Sequence, residues 1–469
     1  AGHPHLDEVL FVTLRVAVVG AGPAGIYASD ILSRTLPGTA IDLFDRLPAP
    51  YGLVRYGVAP DHPRIKAIMN ALDKILGRGD IRLVGNVNLG TDITLAELGE
   101  HYDAVILATG AIKDANLAIP GIDLPGSYGA ADFVSWFDGH PDFPRTWPLQ
   151  AREIAVIGAG NVALDVARML AKHPKDLAPT EIPANVAEGL AASPVTDVHV
   201  FARRGPAQAK FSPLELRERG HVPDVDVIVY PEDFEFDAGS EEAMAASNQT
   251  RQVVATLTDW ALNDPESSTA SRRIHLHFLH QPVEVIEGGD GAVAAIRTER
   301  TTLVGDGTSR GTGVFVDTPV QAIYRAVGYF GSPIDDVPFD DSRGVIPNDG
   351  GRVLDADGAA IPGLYATGWI KRGPVGLIGS TKSDAQETIR HLASDVEAGL
   401  GLRPRVEADA HQQDVLELLE SRGVPVTTWS GWELLTAHER ALGEAEGRER
   451  VKVVPREDMT SVSRGIALS

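Results

Sequence analysis

The chain contains no cysteine. Disulfide staples, thiol–disulfide exchange and cysteine-ligated iron–sulfur clusters are therefore excluded from it. Methionine is scarce, at 4 residues, and aromatics make up only 6%. No apolar run approaches the ~20 residues that a membrane-crossing helix needs. The stretch from Val9 to Gly20 is apolar, but Arg15 interrupts it and it runs into a glycine motif. It reads as the approach to a first buried strand and not as a signal peptide. Positive charge is also in deficit, with 42 Lys and Arg against 65 Asp and Glu and a net charge of −23. That balance excludes non-specific nucleic-acid binding, which needs basic contacts to phosphate. An acidic protein partner would require a local basic patch. The lack of thiols fits a reducing cytoplasm, and we find no metal-ligand spacing. His3 and His5 read as a terminal feature.

What is present is ample apolar material: 469 residues, 43% of them hydrophobic. That length exceeds one core and predicts two or three domains. The 48 glycines and 31 prolines predict tight connections. Apolar strand patterns lie at Arg15–Gly20, Ala40–Phe44, Tyr102–Thr109, Glu153–Gly158, Val198–Ala202, Arg273–Phe278 and Gln321–Val327. They alternate with helical patterns, which predicts doubly wound α/β layers. A hairpin is expected at Gly288–Gly291. Leu177–Pro194 and Ala238–Gln252 read as surface insertions, and the tail from Gln413 carries helical spacing around Val415–Leu419 and Trp432–Leu442.

Two of the strands run into glycine motifs, starting at Gly20 and Gly158, so one fold unit is used twice. The first motif is Gly20, Gly22 and Gly25 in the pattern G-x-G-x-x-G. Gly20 permits the sharp turn, Gly22 the close approach of backbone to a pyrophosphate, and Gly25 the packing of helix on sheet, while the helix N-terminus holds the phosphate charge. The next strand ends at Asp45. A carboxylate there accepts from ribose hydroxyls and repels a 2′-phosphate, so the site suits FAD or NAD. The second motif is Gly158-Ala-Gly160-Asn161-Val162-Ala163, and its following strand ends in Arg203-Arg204-Gly205. Paired guanidiniums can clamp a 2′-phosphate, which suits NADP.

The segment Tyr102–Gly110 ends in Ala-Thr-Gly and resembles the second fingerprint of flavoproteins with two dinucleotide domains. Longer strings carry a closer resemblance: Pro50–Pro63 (PYGLVRYGVAPDHP), Gly160–Arg168 (GNVALDVAR), Arg203–Pro206, Leu214–Glu218 (LELRE) and Gly368–Gly379 (GWIKRGPVGLIG). On these the chain resembles the adrenodoxin reductase family of ferredoxin–NADP reductases, including its mycobacterial members. The resemblance implies an α/β fold of two Rossmann-like dinucleotide-binding domains, with the NADP domain inserted into a discontinuous FAD domain. The segments would be 1–110 and 327–469 for FAD, the latter with a helical tail, and 111–326 for NADP.

The resemblance further implies FAD contacts at Gly20, Gly22, Ala24, Gly25, Asp45, Leu53, Val87, Trp369, Gly376, Leu377 and Ile378. NADP contacts fall at Gly158, Gly160, Asn161, Val162, Arg203, Arg204, Glu215 and Gly376, and an active site at His62 and Glu218. The expected activity is hydride transfer from NADPH to FAD, followed by release of single electrons to a ferredoxin-type iron–sulfur protein. Some relatives carry a fused ferredoxin-like domain ahead of the reductase, and a start at Ala1 instead of Met would fit a piece of such a chain. Arg217, Arg219, Lys371 and Arg372 are candidates for a basic docking surface. Lys210 and Pro213 depart from the family's usual pattern. A quinone or dye reductase and a redox-sensing flavoprotein remain as other readings, whereas disulfide reductases are excluded by the missing thiols.

Overall fold

The computed structural model describes residues 13–62, 67–376, 378–399 and 414–469, without the side chains of Arg219, Ile378 and Gly379. His3, His5 and Leu377, and the side chains of Arg219 and Ile378, lie outside the described residues.

Short, wholly apolar segments such as RVAVV and AVIL cannot leave either face in water, so they pair in the middle of a parallel sheet covered on both sides. The first sheet has seven strands. In spatial order they are Asn348–Asp349, Arg352–Leu354, Ala360–Ala366, Ala104–Leu107, Arg15–Val19, Ala40–Phe44 and Ile81–Val84. The five from Ala360–Ala366 onward run parallel, and the first two pair antiparallel. Side chains alternate between faces as strand geometry demands. Val16 and Val18 pack against the helix Pro23–Thr35 side, and Ala17 and Val19 pack into the opposite core with Val105 and Leu364. The long helix Ile378–Glu397 lies against Pro23–Thr35. Strands from both ends of the chain thus build one sheet.

The second sheet has six strands, all parallel: Ser127–Gly129, Ala322–Arg325, Glu153–Ile157, Asp197–Phe201, Arg272–His277 and Val225–Val229. A three-stranded antiparallel sheet follows it, made of His280–Glu287, Val293–Leu303 and Ser309–Pro319, and its first turn is the expected hairpin. Where the chain crosses between the two large sheets, Lys113–Asp114 pairs with Tyr329–Phe330. The fold is α/β with two Rossmann-like units, one of them built from the middle of the chain.

Both stretches read as surface insertions are helical. Ala238–Gln252 is largely exposed and holds the helix Ala238–Ala246 and the start of Asn248–Ala261, capped by the Asp237 and Ser247 side chains. Leu177–Pro194 contains the helix Ala184–Ala191, which buries Val186 and Leu190 in the second unit's core. Composition rich in small and polar residues hid both, because caps and a few apolar anchors are enough to specify a short helix.

The tail forms helices Val415–Ser421, Trp429–Ala445 and Arg456–Ser463, the last of which the apolar spacing did not indicate. Glu439 on the middle one is completely buried and receives a two-pronged ion pair from Arg55, at 2.9 and 2.5 Å. Arg450 adds a third hydrogen bond at 2.9 Å. The Lys452 ammonium donates to the carbonyls of Arg55 (2.8 Å) and Asp138 (2.9 Å), tying both nucleotide units to the tail.

Candidate active site

Each glycine turn is shaped by steric exclusion. Gly20 has φ +114°, and a Cβ there would stand 2.2 Å from the Ala108 carbonyl oxygen. Gly158 repeats this, with φ +146° and a Cβ 2.2 Å from the Ala326 oxygen. Gly25 would drive a Cβ to 1.8 Å from the Gly20 oxygen. Gly22 and Gly160 are different. Gly160 has nothing within 4 Å of its would-be Cβ, and Gly22 meets only the backbone of Gly52 at 3.7 Å. Space there is kept for something other than protein. Neither following helix, Pro23–Thr35 nor Asn161–Ala171, has a side-chain N-cap, whereas Thr94, Ser212, Asp237 and Thr428 cap their helices. First-turn amides without side-chain caps beside open glycines suit the diphosphate of a dinucleotide. On these grounds the first cradle fits FAD.

At the ends of the adjoining strands the two cradles diverge. The Asp45 carboxylate accepts the backbone N–H of Ala21 and of Leu47, each at 2.8 Å. It therefore fastens the glycine turn and keeps one lone pair per oxygen for a ribose. Burial pushes this carboxyl up from its usual range, against those two amides and nearby Arg46 and Arg456. Val87 is buried, and its N–H donates to the Asp45 carbonyl at 2.9 Å. Leu53 starts a one-turn helix directly after Gly52. In the second cradle Arg203 is exposed and Arg204 half-buried, and neither guanidinium makes a hydrogen bond or ion pair among the described residues. Asn161 Oδ1 accepts the Ser212 N–H at 2.9 Å, and the Lys210 N–H donates to Ala159 O at 2.8 Å. These bonds pin the 210–212 loop to the glycine turn.

The two units meet at His62. Its Nε2 lies 3.0 Å from Asp165 and 3.1 Å from Glu215, and its Nδ1 lies 3.3 Å from Glu218. Burial disfavours the charged imidazole, yet the hydrogen bonds to Asp165 and Glu215 outweigh it and lift its pKa to about 10. His62 is thus an imidazolium donating from both nitrogens. Arg168 Nη2 sits 2.8 Å from Nε2, and the two cations share Asp165. Arg168 also pairs with Asp61 at 2.7 Å, and Lys172 with Asp61 at 3.0 Å. The sequence reading paired His62 with Glu218, and the structure brings them together. Glu215, which the family resemblance assigns to the nucleotide, is buried and its carboxylate also reaches His62. Asp165, Arg168, Asp61 and Lys172 were missed. Their signal was visible in charged positions 165, 168 and 172 recurring at helical spacing along an otherwise apolar helix.

Near this cluster, Val162 of the second cradle and Trp369 pack on the same small group, Ala111, Ala131 and Tyr329. Gly368 has φ +77°, and a Cβ there would meet the Ala24 Cβ at 2.6 Å, so the Trp369 segment presses on the first cradle's helix. Gly376 is exposed with φ +90°. The docking candidates fare unevenly. Lys371 is buried, with its ammonium 2.9 Å from Asp384 and 2.7 Å from Glu387, and Arg372 pairs with Asp384 at 2.9 Å. Both serve the interior, because the helix Ile378–Glu397 supplies carboxylates that the local sequence does not reveal. Arg217 remains exposed.

Two dinucleotide cradles converging on one ionic cluster define a pyridine-nucleotide-dependent flavoprotein oxidoreductase. A family model described as "Pyridine nucleotide-disulphide oxidoreductase" matches residues 14–204. NADPH-ferredoxin reductase FprA of Mycobacterium tuberculosis is 40% identical over 461 residues, covering 96% of this chain and 99% of the relative. NADPH:adrenodoxin oxidoreductase of Homo sapiens is 39% identical over 460 residues, covering 95% and 91%. The solved structure of Mycobacterium tuberculosis FprA in complex with NADPH aligns with a TM-score of 0.88 at 38% identity, covering 97% of this chain and 100% of that one. The chain belongs to the adrenodoxin reductase family of ferredoxin–NADP reductases. Lacking cysteine, it carries none of the disulfide chemistry in the broader family's description.

Proposed function

We propose that this protein is an FAD-dependent reductase that takes a hydride from NADPH and passes electrons singly to a ferredoxin-type iron–sulfur protein. One observation carries the reading. The same strand–turn–helix unit ends in an acid at Asp45 and in two guanidiniums at Arg203 and Arg204 that are unpaired among the described residues. When bound, FAD supplies the chemistry that converts a two-electron donor into a one-electron supply.

The protein's own residues bind and orient. Gly20, Gly22, Ala24, Gly25, Asp45, Leu53 and Val87 hold the FAD side, with Trp369 and Gly376–Ile378 near its ring. Gly158, Gly160, Asn161, Val162, Arg203, Arg204, Glu215 and Gly376 hold NADPH. The contact of Val162 and Trp369 with one apolar cluster supports a nicotinamide laid beside the flavin, where near-attack placement governs rate. His62 and Glu218 keep a proton and a positive charge at the junction. Hydride transfer needs no general base, so their role is to hold the rings and the local potential. The division into 1–110, 111–326 and 327–469 is part of this proposal, supported by the strand pair Lys113–Asp114 with Tyr329–Phe330 at the crossings. A cytoplasmic setting completes it, compatible with the absence of thiols. No helix among the described residues is long and apolar enough to cross a membrane.

The test is anaerobic mixing of the yellow holoprotein with NADPH, then with an oxidised ferredoxin. Rapid bleaching of the flavin followed by ferredoxin reduction is expected. Bleaching without ferredoxin reduction would move the acceptor to a quinone or dye, and no bleaching would leave only a nucleotide sensor. His62→Ala or Glu218→Ala should slow bleaching without loss of FAD.

A further inference from the structure

The aim of the Arg203–Arg204 pair is set from outside its own strand. Neither guanidinium has a partner among the described residues, so their direction depends on how the backbone beneath them is held. That backbone is gripped by the junction between the second sheet and the three-stranded sheet. The Ala202 N–H donates to the His277 carbonyl at 2.8 Å, the His280 N–H to the Ala202 carbonyl at 3.0 Å, and the Leu279 N–H to the Arg204 carbonyl at 3.0 Å. Leu279 adopts φ +58°, a left-handed conformation that a branched side chain takes only when its surroundings impose it. The remaining carbonyl, that of Arg203, is met by a side chain. The Thr301 hydroxyl donates to it at 2.6 Å, and Thr301 is only 3% exposed.

Thr301 borders a bulge in the facing strand. The pairing of Val293–Leu303 with Ser309–Pro319 slips between Glu299 and Thr301. Bulges re-aim side chains. Residues 312–314 of the facing strand there oppose Arg300 alone, and Arg300 pairs with Asp233 and donates to the Glu232 carbonyl at 3.1 Å, which occupies its charge elsewhere. The Thr301 N–H meanwhile donates to Leu279 O at 2.9 Å, closing the brace.

We infer that Thr301 is a positioning residue for coenzyme choice, its hydroxyl fixing the Arg203 carbonyl so that the arginine pair faces a 2′-phosphate. This rests on the reading of Arg203 and Arg204 as the NADPH clamp.

The test uses FAD-loaded protein and two probes, adenosine 2′,5′-bisphosphate and 5′-AMP, titrated by calorimetry. Thr301→Val keeps the shape and removes the donor. It should weaken the bisphosphate about tenfold, the scale of one lost buried hydrogen bond, and leave AMP unchanged. Thr301→Ser should restore binding. In turnover the same variants should raise the KM for NADPH but not for NADH, at unchanged kcat. Equal weakening of both probes, unchanged bisphosphate binding, or failure of serine to rescue would each overturn the inference. If Thr301→Val loses its FAD, Thr301→Ala carries the same comparison. Arg203→Ala separates the two levels. If it too leaves the preference for the bisphosphate intact, the clamp itself is wrong and the brace falls with it. If it abolishes the preference while Thr301→Val does not, the brace alone fails.

Discussion

The two nucleotide cradles share a turn and differ in charge. Gly20 and Gly158 both have positive φ and the same close approach to a neighbouring carbonyl oxygen. Selectivity is therefore not in the glycines, which exclude side chains equally in both. On the proposed function it lies where the next strand ends, in Asp45 or in Arg203 and Arg204. The contrast extends to histidine. His62, in the first unit's loop, is held charged by acids, whereas His199 in the second unit stacks on His275 and His277 at 4.4 and 5.3 Å. Burial, and then the neighbouring His275, push His199 down to about 3. One fold unit thus accommodates opposite electrostatic solutions, because strand ends and loops are free to vary while the turn is not.

The comparison breaks most visibly at the glycines. Gly20→Ala should destabilise the protein by more than about 3 kcal/mol, since strain and a backbone clash add. Gly160→Ala, with open space and an ordinary φ, should stay within about 1 kcal/mol in thermal unfolding yet weaken NADPH binding. Equal effects would show that the two positions are not distinct in role.

Next comes the strand end. Arg204→Ala should cost about 2 kcal/mol of NADPH binding, roughly 30-fold, and nothing for NADH, as read from the KM ratio. Asp45→Asn should shorten FAD retention in dialysis while leaving that ratio alone.

The histidines give opposite pH signatures. The His62 pKa is raised above its unfolded value, so its contribution is full below pH ~6.5 and disappears as pH rises toward 10. The His199 pKa is depressed, so the second unit loses stability as pH falls from ~6.5 toward 3. In melting curves, the deficit of His62→Gln should shrink on the alkaline side, and His199→Phe should flatten the acid side, each by roughly 2–4 °C. Parallel pH profiles for the two variants would remove the contrast.

The smallest effect is expected at Arg217, where exposed charge contributes under about 1 kcal/mol. Arg217→Ala should raise the KM for ferredoxin modestly, and added salt should erase the difference.

Much of this was legible because it is local. Strand, turn and helix around Gly20 and Gly158 lie in continuous sequence, and the acid and arginine ends follow each at a fixed place in the unit. The string around Asp61 and His62 was readable as a motif, but not its environment. Asp165, Arg168 and Glu215 reach it from elements a hundred or more residues away. Lys371 and Arg372 read as surface charge because their partners Asp384 and Glu387 lie on a different helix. The Thr301 contact joins positions 98 residues apart, which leaves no local pattern to detect.

The Arg55–Glu439 pair joins residues 384 positions apart with no exposure on either side. A guanidinium enclosed without its carboxylate costs about 3–5 kcal/mol. During synthesis the first sheet's strands up to Ile81–Val84 are made before the middle unit, yet the short helix bearing Arg55 cannot close its ion pair until the chain has been made to Glu439. The first nucleotide unit is thus begun before the middle unit and finishes folding after it. The middle unit, complete by residue 325, can be folded before it.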